Sequence, residues 1–140
     1  MSKLDKAVLT NVIFRKAQWT LDRQVAASFK DNGLTQMQFA VLDRLYSHGT
    51  QRVSDLLEGL LATSGNMTLV LKNMEKKGWI VRQKSPEDKR AFLIDLTDEG
   101  RDLFEKVLPQ HLDSVRQAMS IFTDDELSQL YKLLKKFKNL

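Results

Sequence analysis

The chain has 140 residues, two histidines and no cysteine. This length suits one domain with a sizeable core, and the missing cysteines exclude disulfides, thiolate metal sites and thiol redox switches together. With 42% hydrophobic and 29% charged residues and a net charge of +4, the composition is that of a folded chain rather than a disordered one.

Residues 1–6 have a basic start but no apolar stretch or small-residue cleavage site, so a cytoplasmic protein is expected. No run of about 18 apolar residues predicts a membrane span, and no membrane partner is expected. The first 30 or so residues read as one long helix. Leu4, Val8, Val12, Ile13, Ala17, Leu21 and Val25 form its apolar stripe, with Phe14, Trp19 and Phe29 off it and Gly33 as its stop. The next helix begins at Thr35, where Thr35 and Gln38 make a capping box and Leu34 a staple onto Phe39. Phe39, Val41, Leu42, Leu45 and Tyr46 supply its apolar face, and Gly49 closes it.

A short helix over 53–60 follows, then a second from about Ser64 to Lys77 that stops at Gly78. Met67, Val70, Leu71 and Met74 form the core stripe of the second, at i, i+3, i+4 and i+7. The strand-like runs 79–84 and 92–96 flank the polar loop 85–90, which predicts a β-hairpin. Thr97 caps a helix running to about Ile121, with Asp98 and Glu99 placed for its dipole. The last helix starts at Thr123, with a capping box to Glu126 and a staple from Phe122 to Leu127. Its stripe is Leu127, Leu130, Tyr131, Leu134 and Phe137, and Lys135, Lys136 and Lys138 suit its C-terminal dipole. The fold class is therefore mainly α with a small β-hairpin wing: a winged helix-turn-helix. Two strands alone cannot hold a core, so the hairpin must pack on helices.

Charge is concentrated in one segment. Between Thr63 and Arg90 stand seven basic residues, Lys72, Lys76, Lys77, Arg82, Lys84, Lys89 and Arg90, against Glu75, Glu87 and Asp88. The rest of the chain is electrically neutral, so this segment alone carries the net charge. Such confinement is what a polyanion-binding face leaves in a sequence.

Once the core stripe of the helix from Ser64 is buried, Ser64, Gly65, Thr68, Leu69 and Lys72 share the opposite side, flanked by Asn66 and Asn73. Small and polar residues at the start of such a helix allow close approach to base edges, and an apolar group can contact a thymine methyl. Backbone N–H groups at the start of the helix can bind phosphate, and Ser54, in the preceding short helix, joins the candidate DNA contacts. Lys84, Lys89 and Arg90 lie at or near the hairpin tip, where neither core packing nor helix pairing requires them. An arginine there can enter a narrow minor groove, and Asp88 is expected to hold its guanidinium. The bland alternatives are an ordinary soluble helix face and a solvated turn with a weak surface pair.

The stretch 34–42 resembles the opening of the MarR-family helix-turn-helix, and 63–68 the start of that family's recognition helix. Residues 73–82 match the end of that helix and the first wing strand. Most specific are 86–90 and 94–100, similar to an Asp-x-Arg wing tip leading into a Leu-Thr-x-x-Gly helix start. The resemblance covers essentially the whole chain. It implies a homodimer built from the N- and C-terminal helices (1–32 and 98–140), a DNA-binding lobe over 34–97 in each subunit, and often a small phenolic or lipophilic effector. Both terminal helices carry more apolar residues than one core-facing stripe needs, which suits a dimer. One departure concerns Leu69, where the family often has arginine; base preference is expected to differ accordingly.

The leading reading is a sequence-specific regulator, repression being the expected mode, that binds a pseudo-palindromic operator in double-stranded DNA. A winged-helix protein-interaction module is the alternative, disfavoured by the clustered charge and the Asp88/Arg90 wing. An enzyme is not expected: no Ser/His/Asp set, Gly-rich phosphate loop or metal-ligand cluster is present. His48 and His111 have no partner at ligand spacing, so no metal or other cofactor is expected.

Overall fold

The computed structural model describes residues 5–60 and 64–137, and for Ser64 the backbone alone. Leu4, Thr63 and Lys138, named above, lie outside the described residues. The element order is α1 (Lys6–Asp31), α2 (Gln36–His48), β1 (Gln51–Arg52), α3 (Val53–Leu60), α4 (Ser64–Lys76), β2 (Ile80–Lys84), β3 (Phe92–Leu96), α5 (Asp98–Met119) and α6 (Asp124–Leu134). Among the described residues no helix is long and apolar enough to cross a membrane.

Two helix ends are closed by the same local chemistry. At the end of α1, the Leu34 N–H donates to the Phe29 carbonyl (2.9 Å) and the Gly33 N–H to Lys30 (3.1 Å), with Gly33 at φ +70°. At the end of α4, the Trp79 N–H donates to Met74 (3.1 Å) and the Gly78 N–H to Glu75 (3.0 Å), with Gly78 at φ +76°. Both are Schellman endings, in which a left-handed glycine lets the chain satisfy its last carbonyls while reversing direction. The capping boxes expected at Thr35/Gln38 and Thr123/Glu126 are both formed.

The wing is part of a larger sheet than the sequence indicated. Three antiparallel strands lie in the order β1-β3-β2, with Gln51 opposite Ile94 and Arg52 opposite Leu93 on one side. On the other side Ile80 lies opposite Leu96 and Lys84 opposite Phe92. β1 covers the free edge of β3, which would otherwise be left without hydrogen-bond partners. Its two residues are too few to show a period-two pattern.

The structure divides into two compact units, Met1–Val25 with Leu112–Leu140, and Ala26–His111. In the second, Phe39, Val41, Leu42 and Leu45 of α2 are buried with Leu56 of α3, Met67, Leu71 and Met74 of α4, Ile80 and Ile94 of the sheet, and Phe104 and Val107 of α5. Tyr46, expected on the same apolar face, is on the surface: its ring lies 4.6 Å from Phe104 and its hydroxyl donates to Glu105 Oε1 (3.0 Å). Phe29, read as lying off the α1 stripe, is a core residue, stacked on Phe39 at 4.7 Å and on His111 at 5.1 Å. In the first unit the apolar residues are largely uncovered. Val8, Val12, Ile13, Phe14 and Trp19 of α1 are exposed, and α6 buries none of its residues.

The base of the wing is tied to α5 at one crowded point. The Thr97 hydroxyl donates to the Gly78 carbonyl and accepts the Gly100 N–H (3.0 Å), and the Thr97 N–H donates to the Trp79 carbonyl (3.1 Å). A Cβ on Gly100 would stand 2.1 Å from the Trp79 oxygen. Since that atom belongs to the backbone, it cannot rotate away. Gly100→Ala is expected to destabilise the fold by about 1–3 kcal/mol, or more if the wing base cannot shift; urea unfolding of the variant measures it.

His111 gives the fold a pH dependence. Burial against Phe29 and Phe39 lowers its pKa from 6.5, with Asp43 opposing the shift. The unfolded chain therefore takes up this proton at higher pH than the folded one. The contribution is complete above 6.5 and is lost as pH falls through the lowered folded value. Unfolding midpoints compared between about pH 7 and pH 5 are expected to fall less in His111→Phe than in the unsubstituted protein.

Candidate nucleic-acid interface

The α4 helix is amphipathic about the core formed by Met67, Leu71 and Met74. At about 100° per residue, Gly65, Leu69, Lys72 and Lys76 project roughly opposite that core, with Thr68 on one flank and Asn66 and Asn73 on the other. All seven are exposed. Nothing lies within 4 Å of where a Cβ would stand on Gly65, so at this position the helix presents bare backbone to solvent. Ser64 opens the helix by its backbone. Ser54 is exposed in the first turn of α3, next to Asp55, whose Oδ2 accepts the Arg52 N–H at 3.0 Å.

The wing tip is shaped by its own side chains. Ser85, only 5% exposed, accepts the main-chain N–H groups of Glu87 (3.3 Å) and Asp88 (3.4 Å) with its hydroxyl. The Ser85 N–H donates to Ala91 and the Ala91 N–H to Asp88, closing the loop at 2.9 and 3.0 Å. Asp88 Oδ1 accepts the main-chain N–H of Arg90 at 3.0 Å. This is where the structure departs from the sequence expectation: Asp88 holds the Arg90 backbone, and no ion pair among the described residues joins it to the Arg90 guanidinium. The physical reason is reach. A carboxylate two residues before an N–H closes a compact turn that folds away from a long side chain. Lys84, Asp88, Lys89 and Arg90 are all exposed.

Between α4 and the wing lies a cleft of about 350 Å³ whose lining includes Arg52, Ser54, Thr68, Arg82, Arg90 and Phe92. It brings together three of the expected contact residues, Ser54, Thr68 and Arg90. Asn66, Leu69 and Lys72 stay outside it on α4, and Lys84, Asp88 and Lys89 outside it on the wing.

Two arginines of the cleft were not singled out from the sequence. Arg82 is paired with Glu75 Oε2 at 3.6 Å and stands over Phe92, its guanidinium carbon 5.3 Å from the ring centre. Arg52 lies 3.9 Å from Glu87. The basic excess of the segment already included Arg82; nothing local marked Arg52, because it reaches the cleft only through the pairing of β1 with β3.

Comparison with known proteins agrees with this geometry. Residues 34–92 match the model of the MarR family. The chain is 34% identical over 134 residues to the HTH-type transcriptional regulator YkoM of Bacillus subtilis, covering 96% of this chain and 87% of the relative. It is 31% identical over 117 residues to the HTH-type transcriptional repressor MdtR of the same organism, covering 84% and 73%. Its backbone is similar to that of a mutant MarR from E. coli crystallised with operator DNA, with a TM-score of 0.86, 27% identity, and coverage of 96% and 98%.

The loop chemistry separates two roles for Asp88. An alanine removes the acceptor that fixes Arg90, whereas an asparagine keeps an oxygen there and removes the charge. Asp88→Ala is expected to bind DNA more weakly than the unsubstituted protein, and Asp88→Asn as tightly or more tightly. Titrations at two salt concentrations check this; equal tightening in both variants would reduce Asp88 to a repelling charge. Arg90→Ala is expected to lower affinity with little change in folding stability, because the residue is exposed.

Proposed function

The chain belongs to the MarR family and is a DNA-binding transcriptional regulator; on that premise we propose that it acts as a homodimeric repressor on a pseudo-palindromic operator. The observation that carries this reading is the exposed face of α4, open at Gly65 and flanked by a wing whose tip presents Lys89 and Arg90. In it α4 enters the major groove, and Asn66, Thr68 and Leu69 meet base edges. Ser54, Ser64, Lys72, Lys84 and Lys89 meet phosphates, and Arg90, positioned by Asp88, enters the minor groove.

The dimer is assigned to residues 1–32 and 98–140, with the DNA-binding lobe over 34–97. Supporting this are the exposed Val8, Val12, Ile13 and Phe14 of α1 and an open, mainly apolar groove of about 570 Å³ lined by residues such as Met119, Leu127, Leu130 and Tyr131. Uncovered apolar surface of this extent marks an association site. Two lobes related by a two-fold axis then read half-sites about 34 Å apart. Family membership supports release by a small lipophilic or aromatic effector. Such an effector must bind the DNA-incompetent state more tightly than the competent one, since only a differential affinity moves the equilibrium.

Selection of bound sequences from random duplex DNA, with gel filtration of the protein, tests the reading. The expected outcome is an inverted repeat, a dimer, and an affinity that falls steeply with salt as phosphate contacts release counterions. Asn66→Ala and Thr68→Ala are expected to change the preferred bases, at about 1–3 kcal/mol per lost contact, while Lys72→Ala weakens all sequences alike. A monomer with full operator affinity, or equal losses on operator and random DNA for the first two variants, would overturn it.

A further inference from the structure

We infer that Leu69 reads the C5-methyl group of a thymine, and so fixes a T·A pair in each half-site of the operator. The inference rests on the proposed entry of α4 into the major groove. A single exposed leucine elsewhere on a surface needs no explanation; here its position decides. Leu69 is 58% exposed in the middle of the outward line of α4, between Gly65 one turn before it and Lys72 and Lys76 after it. No apolar neighbour on that line shares its exposure, and the core on the opposite side is already filled by Met67, Leu71 and Met74.

Helical geometry directs the side chain further. Cα–Cβ bonds tilt toward the helix N-terminus, so a residue covers the surface over the turn that precedes it. For Leu69 that turn contains Gly65, which has no side chain and nothing within 4 Å of where its Cβ would be. The helix is therefore open one turn before Leu69, and at Gly65 its backbone can come near to the floor of a groove.

The chemistry then selects the base. Leucine has no hydrogen-bond donor or acceptor, so it cannot satisfy the polar edges of guanine, adenine or cytosine. Pressed against them, it would strip water from groups left without partners. The thymine methyl is the one apolar group that the bases present in the major groove. Burying it against Leu69 is favourable, and substituting another base is unfavourable, so the residue both attracts and excludes.

Uracil is the minimal probe, because it keeps the pairing and the hydrogen-bonding edge of thymine and lacks only the methyl. Once selection has given the operator, deoxyuridine is placed at each thymine in turn, and affinity is measured for the unsubstituted protein and for Leu69→Ala. At one thymine position per half-site, the unsubstituted protein is expected to lose roughly fourfold in affinity per methyl removed. Leu69→Ala is expected to bind the thymine and uracil operators equally at that position. If the unsubstituted protein tolerates uracil everywhere, or if Leu69→Ala keeps the full penalty, the role of Leu69 is overturned while DNA binding stands. If selection enriches no sequence at all, sequence-specific DNA binding itself falls.

Discussion

The close approach of the Trp79 main chain to Gly100 constrains the geometry of the unit Ala26–His111. It fastens three things that must stay in register: the end of α4, the start of β2 and the first turn of α5. Thr97 reinforces it from the other strand, donating to the Gly78 carbonyl and accepting the Gly100 N–H. Because Gly78 also ends α4 through a left-handed turn, α4 and the wing leave one junction in fixed directions. Their relative orientation is held by these backbone contacts together with the buried side chains of Met67, Leu71, Met74, Ile80 and Ile94.

The same economy appears in the treatment of charge. Two of the three arginines that line the cleft are provided with local carboxylates, Arg82 with Glu75 and Arg52 with Glu87. Both pairs are partly or largely exposed, and such pairs contribute little stability. The pairs also offset part of the basic charge on this face. The wing tip follows a different principle. Ser85 and Asp88 satisfy the backbone N–H groups of the loop, so the lysine and arginine side chains are carried on an ordered turn.

Aromatic packing anchors the other side of this unit. Phe29, Phe39, Phe104 and His111 form a continuous stack, with Tyr46 at its margin tied to Glu105. Ring-on-ring contacts bury large area at fixed geometry. The stack joins the last turn of α1, α2 and the first two-thirds of α5 into one body, and a histidine within it makes its stability sensitive to protonation.

Local sequence determined the helix ends, since a cap or a left-handed glycine acts over four or five residues. Thr35/Gln38, Gly33, Gly78 and Thr123/Glu126 all form as their spacing requires. It also determined the buried stripe Met67, Leu71 and Met74 and the strands β2 and β3, because periodicity is a property of the segment itself. What only the tertiary structure decided is whatever depends on a distant neighbour. β1 exists because β3 has an edge to cover, and that edge brings Arg52 to the cleft. Phe29 is buried because α2 and α5 supply Phe39 and His111, although its own helix places it off the stripe. Asp88 turned to the backbone of Arg90 because the loop closes on Ser85 and Ala91. Residue types and spacings state which bonds are available; which of the competing partners wins depends on how the chain is closed in three dimensions.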